Sequence, residues 1–232
     1  MTGQSVCVDE RRAALSGLRG DVEACRRCAI GYTRTQGVCG VGDPCAALMI
    51  VGEGPGENED LQGEPFVGRA GELLTKMLAA IALHREDVFI TNTIKSRAIL
   101  EEHGRRFNRP PAQDEIENCR EYLQRELEII RPKAILALGA PAAKWFLGHT
   151  FSITRQRGTW FKGPMGADLI VTFHPAYILR LTGGNMTAVK KLVWGDLQAL
   201  RRRLDEYATD SAPKEESHQA HSDTYIQQQL EL

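Results

Sequence analysis

The chain has 232 residues, with 29 Lys and Arg against 30 Asp and Glu, a formal charge of -1 and a hydrophobic fraction of 42%. That suits one medium α/β domain with a tail. No apolar run approaches the ~20 residues of a membrane span, and MTGQSVCVDERR lacks the apolar core of a secretory signal, so a cytoplasmic protein is expected.

The first periodic segment places Leu15, Leu18 and Val22 on one helical face and runs into Cys25-Arg26-Arg27-Cys28, a C-x-x-C pair. Cysteines at 7, 25, 28, 39, 45 and 119 are many for a cytosolic chain, where stable disulfides are not expected. A metal or cluster is the natural suspect; two unrelated thiols is the plain alternative for the pair.

Four short apolar runs end on unusual polar or glycine residues. LMIV (48–51) leads into GEGPGENED, VFIT (88–91) ends at Asn92, AILAL (134–138) at Gly139, and LIVTF (169–173) at His174-Pro175. Runs of this length, separated by helix-period segments, read as buried strands of a parallel sheet. Ligands bind beyond the carboxyl ends of such strands, so the glycine-rich acidic loop, the asparagine and the histidine are expected to share one pocket.

Helices are expected around Glu72 to Ile81, from Asp114 to Ile130, from Pro141 to Leu147 and from Thr187 to Leu204. KSRAILEEHGRRFNRPPAQ reads as an exposed, irregular connection, and Gly158 to Gly166 as a hairpin region. Residues 205–232 form a polar tail expected to be disordered, with seven Asp or Glu against Lys214. This leaves a net +5 on a domain of residues 1–204, compatible with a phosphate-backbone partner and with many soluble enzymes alike.

GEGPG has neither a full G-x-G-x-x-G nor a G-K-[ST]. It offers Glu53, Glu57, Glu59 and Asp60, followed by Phe66 in PFVGRAG. A carboxylate cluster repels phosphate but can position a water, which suits hydrolysis.

GEGPGENEDLQGEPFVGRAGELL, then VFITNTIK, then FHPAYILR, in this order, closely resemble a family 4 type uracil-DNA glycosylase, over about Cys25 to Leu204. The resemblance implies a three-layer α/β/α fold with a central four-stranded parallel sheet, and a monofunctional enzyme that flips uracil out of DNA and hydrolyses its N-glycosidic bond. Phe66 would stack on the base, and Asn92 would pair with uracil O4 and N3–H. His174 would stabilise charge on the departing base. Glu53 would position the water with Glu59 second, and Gly54 stands where related enzymes carry an aspartate. Tyr177, Ile178, Leu179 and Arg180 would supply DNA contacts, as apolar wedge or phosphate ligand. No lysine is placed by the motifs to form a Schiff base.

The resemblance also implies a 4Fe-4S cluster on Cys25, Cys28 and Cys119, with Ser96 where a fourth cysteine is expected. The Ser96 oxygen, a substitute among Cys39, Cys45 and His103, or loss of the cluster all remain open. A related branch captures DNA covalently through a histidine in the 96–113 connection; Asn108 stands at that register, so turnover is expected, with His103 the residue that could reverse this. Gln229, Leu230 and Leu232 resemble short Q-L-x-L peptides that dock on the bacterial sliding clamp. A monomer is expected. A catalytically weak damage-binding member of the fold, a glycosylase of altered base specificity and an iron-sulfur electron-transfer protein are the competing readings.

Overall fold

The computed structural model describes residues 3–211; Gln229, Leu230, Leu232 and most of the acidic tail lie outside the described residues. The chain begins with α1 (Gly3–Ala24), α2 (Ile30–Thr33), β1 (Val41–Gly42), β2 (Leu48–Gly52), α3 (Glu57–Gln62) and α4 (Arg69–Ala79). It continues with β3 (Phe89–Asn92), β4 (Ile99–Glu102), β5 (Arg105–Asn108), α5 (Gln113–Ile130), β6 (Ala134–Leu138) and α6 (Gly139–Leu147). The last elements are α7 (Ile153–Gln156), β7 (Trp160–Lys162), β8 (Asp168–Thr172), α8 (Pro175–Leu179) and α9 (Gly183–Ser211). No helix among the described residues is long and apolar enough to cross a membrane.

The central sheet runs β1-β3-β2-β6-β8-β7. The four runs read from sequence are its parallel core, β3, β2, β6 and β8, and the two short outer strands pair antiparallel to it. Both faces are covered, so side chains alternate between two apolar layers. Leu48 and Ile50 of β2 pack with Leu74, Leu78, Ile178 and Leu197, while Met49 and Val51 pack with Leu123, Leu127, Ala142 and Ala143. Successive strands leave β2 in opposite directions, first to β3 and then back to β6. That reversal opens a crevice beyond the carboxyl ends of β2 and β6, where doubly wound sheets bind ligands.

Two expectations are corrected. The connection after Asn92 is not irregular: Ile99–Glu102 and Arg105–Asn108 pair as an antiparallel hairpin. Its turn, His103-Gly104, has φ of 50° and 72° at the two positions, the left-handed pair that matches strand twist in a two-residue hairpin. The last helix also passes Leu204 and runs to Ser211, so regular structure reaches into the segment read as a disordered tail. Tyr207 fastens this extension, its hydroxyl donating to Asp168 Oδ2 at 2.7 Å.

One ion pair is wholly enclosed. Lys95 and Glu126 are 1% and 0% exposed, and Lys95 Nζ donates to Glu126 Oε2 at 2.7 Å, Thr91 Oγ1 at 2.7 Å and the Asn92 carbonyl at 2.8 Å. The same carboxylate accepts from Thr91 Oγ1 at 2.7 Å and from the Gly40 amide at 2.8 Å. Removing one member of a buried pair strands the other charge, at a cost of about 3–5 kcal/mol, whereas replacing both by apolar groups is often nearly neutral. Lys95→Met alone is therefore expected to lower unfolding free energy by about that amount. Lys95→Met/Glu126→Leu should recover most of the loss in denaturant unfolding.

Candidate active site

Residues after β2, β3, β6 and β8 line a cleft of about 910 Å³ that includes Glu53, Gly54, Phe66, Asn92, Gly139 and His174. The acidic loop, the asparagine and the histidine expected to meet from three strand ends do share one cavity, with Gly139 of the fourth end beside them. Backbone contacts join the first two of these ends: Thr93 N donates to Gly52 O at 2.9 Å, Thr93 Oγ1 to Glu53 O at 2.6 Å, and Ile94 N to Glu53 O at 3.2 Å.

Glycine sets how closely the lining packs. A Cβ on Gly52 would lie 2.4 Å from Asn92 Oδ1 and 2.6 Å from Phe66 Cζ, and one on Gly54 would lie 2.6 Å from Ile94 Cγ1. Any side chain at either position would push the asparagine, the phenylalanine or the cleft wall out of place. Asn92 is 2% exposed as a residue and lines the cleft, and its side-chain amide makes no hydrogen bond among the described residues. Its polar edge is therefore open to the cleft.

Phe66 takes a left-handed backbone, φ 56°, which is uncommon outside glycine. Glu59 holds the strained turn, its Oε1 accepting from Val67 N at 3.0 Å and Gly68 N at 2.9 Å, and its Oε2 from Gly56 N at 3.1 Å. Arg85 braces the other side by donating to Pro65 O at 3.0 Å. Three backbone donors thus occupy the Glu59 carboxylate, which also lines the cleft. It clasps the acidic loop to the Phe66 turn. Glu53 differs: its carboxylate makes no hydrogen bond among the described residues, and burial raises its pKa above the ordinary value, an effect the Arg180 charge partly offsets.

His174 precedes α8, and its Nδ1 accepts from Ala176 N at 3.0 Å. An imidazole accepting at Nδ1 carries its proton on Nε2, so the free edge of the ring is a donor. Burial, and secondarily Arg180, hold its pKa at about 4. The ring stacks on Phe66 with centroids 5.7 Å apart and planes at 27°.

Among the residues expected to meet DNA, Tyr177 and Leu179 are 38% and 39% exposed and Arg180 is exposed, with Tyr177 and Arg180 lining the cleft. Ile178 is corrected: it is 2% exposed and packs in the core, since one turn of helix cannot point four successive side chains outward. Asn108, which the sequence reading set at the register of a related branch's histidine, lines the cleft, whereas Arg97 and Arg109 were missed as its companions. Arg97 donates through Nε to Asn108 Oδ1 at 2.7 Å and approaches Glu57 Oε1 at 3.3 Å. The alternation of ILEE and RRFN about His-Gly was the signal that could have revealed them. His103 sits exposed at the hairpin turn and is not part of the cleft lining.

Cys25, Cys28, Cys39 and Cys119 fall in one apolar cluster between α1 and α5, with Ile94 and Ala98, whereas Cys45 is exposed. Ser96 is 3% exposed, and its hydroxyl oxygen accepts from Arg34 Nη1 at 2.8 Å.

The depressed pKa of His174 has a measurable consequence. The unfolded chain binds this proton below about 6.5 and the folded chain only near 4. Stability from the neutral ring is therefore present above pH 6.5 and lost as pH falls toward 4. His174→Gln is expected to flatten the decline of Tm across that window; an unchanged profile would show that the ring protonates normally.

Residues 39–198 match the family described as Uracil DNA glycosylase superfamily. The chain is 43% identical over 167 residues to a type-4 uracil-DNA glycosylase of Archaeoglobus fulgidus, covering 68% of this chain and 80% of that protein. It is 40% identical over 178 residues to one of Thermotoga maritima, covering 76% and 88% respectively. A third, of Sulfurisphaera tokodaii, is 42% identical over 174 residues, covering 72% and 76%.

Proposed function

The chain belongs to the uracil-DNA glycosylase superfamily, and from that premise we propose that this cleft excises uracil from DNA by hydrolysing its N-glycosidic bond. The observation that carries the reading is the Asn92 amide, without a hydrogen bond among the described residues and facing the cleft beside the Phe66 ring at the carboxyl ends of the strands. A uracil turned out of the base stack meets the aromatic face of Phe66, which supplies contact without choosing among bases. Asn92 makes the choice, Oδ1 accepting from N3–H and Nδ2 donating to O4. Cytosine inverts both groups.

As the bond to C1′ breaks, electrons pass to the base and the sugar becomes oxocarbenium-like. His174 Nε2–H donates to uracil O2, where negative charge gathers. Because the ring is already neutral, it stabilises that charge without first losing a proton. Glu53, ionised and free of internal partners, stabilises the cationic sugar and orients the water that adds to C1′. Uracil and an abasic site are the products. Lys95 is unavailable as a nucleophilic amine, since three acceptors enclose its ammonium, which favours hydrolysis without strand cleavage. Tyr177, Leu179 and Arg180 would face the DNA at the cleft rim.

A four-iron four-sulfur cluster fits the cysteine-rich region. Among the described residues no three His, Cys, Asp or Glu side chains come together to hold a single metal ion. Cys25, Cys28 and Cys119 nonetheless share one buried cluster and influence one another's charge. Thiolates that each bind a different iron answer that pattern. Buried Ser96, with Arg34 against its oxygen, is the fourth candidate, and Cys39 lies in the same cluster. A bound cluster supplies a cross-link between the end of α1 and α5.

His174→Leu and Asn92→Ala are each expected to lower uracil release from a deoxyuridine oligonucleotide by at least about tenfold with the fold retained. Near-normal turnover in either variant would refute the assignment.

The pH profile separates the two ionising groups. Glu53 must be ionised and its pKa is raised, whereas His174 titrates only near 4. The acid limb of kcat/KM should therefore follow Glu53, persist at the same pH in His174→Leu, and vanish with most of the activity in Glu53→Gln.

For the cluster, anaerobically purified protein is expected to contain iron and sulfide. Ser96→Cys should slow bleaching of its visible absorption in air, because thiolate is the softer iron ligand. Iron-free protein from that preparation would count against the cluster.

A further inference from the structure

The β4–β5 hairpin rises from the lip of the cleft, and neither the fold nor the chemistry above requires it. Ala98, Asn108, Arg109, Pro110 and Pro111, at its base, line the cavity. Two arginines fix that base. Arg97, 6% exposed, ties Asn108 to Glu57 of α3, and Arg109 binds the Ile99 carbonyl at 3.1 Å and grips Glu115 of α5 through two bonds of 2.7 and 2.6 Å. The hairpin is therefore clamped to the elements on both sides of the cleft. Its own strands, by contrast, are exposed on nearly every residue from Leu100 to Asn108.

Register separates the two faces of this arm. Ile99 pairs with Asn108 and Glu101 with Arg106, so these four share one face, and Leu100 and Phe107 pair on the other. Asn108 defines the cleft side. Its Oδ1 is engaged by Arg97, which turns Nδ2 outward, and a Cβ on Gly56 would lie 3.5 Å from that nitrogen. The amide therefore stands over the acidic loop with free donors. Arg106, two residues on along the same face, is held only by an exposed contact of 3.7 Å to Glu101, a pairing of little energy in water. A neutral donor at the lip with a loosely held guanidinium beyond it is a row of contacts for phosphodiester oxygens leading away from the cavity.

We propose that the β4–β5 hairpin is a DNA-binding arm whose Asn108–Arg106 face takes the backbone of the strand that flanks the extruded nucleotide. This rests on the uracil-excision reading for the identity of the strand. Continuity with the cleft selects DNA as the occupant over a protein partner on the opposite face, where Leu100 and Phe107 lie beside the exposed Glu102 and Arg105.

The test measures binding of a fluorescent deoxyuridine oligonucleotide across a salt series, with uracil release followed separately. Arg106→Ala is expected to reduce the slope of log affinity against log salt by about 1 and to raise KM severalfold with kcat little changed. Asn108→Ala should raise KM roughly tenfold while losing little of the salt slope, since it removes an uncharged donor. Phe107→Ala, on the opposite face, should leave slope and KM at wild-type values. Unaltered slope and KM in both Arg106→Ala and Asn108→Ala would overturn the arm. A loss that follows Phe107→Ala instead would move the contact to the other face and overturn it equally. Absence of uracil release by the wild-type protein would fail the excision reading alone, because the salt series reports the arm without turnover.

Discussion

The enclosed Lys95–Glu126 pair underlies the architecture of the site. Its ammonium and carboxylate tie together the Gly40 amide, the Thr91 hydroxyl and the Asn92 carbonyl, which belong to the segment before β1 and the end of β3. Glu126 itself comes from α5, the helix that carries Cys119. Desolvating two charges costs several kcal/mol each, and apolar residues would fill the space at less expense. What the pair provides is register: the peptide after Asn92 can be oriented in only one way if its carbonyl is to meet the ammonium. The Asn92 amide and the chain onward to Ser96 and Arg97 inherit that orientation.

The acidic loop shows how local geometry assigns different work to similar residues. Glu59 lies in the first turn of α3, where amides without helical partners collect, and three of them claim its oxygens. Glu53 lies where the chain has just left β2, with its backbone carbonyl committed to Thr93 and Ile94 and its side chain making no hydrogen bond among the described residues. One carboxylate thus spends its charge on holding the Phe66 turn, whose left-handed backbone of 56° costs about 1–3 kcal/mol. The other makes no hydrogen bond among the described residues, and burial raises its pKa, with the Arg180 charge opposing the shift.

The parallel core was legible because strands buried on both faces must be apolar throughout, and the runs at 48–51, 88–91, 134–138 and 169–173 are. Their ends then brought the acidic loop, Asn92 and His174 to one cleft, while the choice of Glu53 within that loop rested on the family resemblance. The outer strands were not legible: Val41–Gly42 and Trp160–Lys162 are too short to show a period, although the turn around Gly158 to Gly166 marked the second. The β4–β5 hairpin was hidden because its exposed strands carry charge on both faces, and only its His-Gly turn betrays it. The burial of Ile178 and the backbone bonds of Glu59 could not be read for one reason. The family resemblance places a motif in the site but does not say which way each side chain turns, which depends on partners distant in sequence.

His174 shows how such partners decide chemistry. A histidine in a cleft beside Arg180 could be imagined as a cation offering its charge to the departing base. Here the Ala176 amide occupies Nδ1 and fixes the proton on Nε2, while desolvation and the arginine both disfavour a second proton. On the proposed reading, a neutral donor would gain little from the uncharged carbonyl of an intact nucleoside and much more from the same oxygen once it carries charge. Its contribution would then be concentrated in the transition state, the only place where binding accelerates the reaction. The stack on Phe66 keeps the ring in plane while that charge develops. The strained turn, the Glu59 clasp and the closely approached Gly52 all serve to hold that geometry before the base arrives.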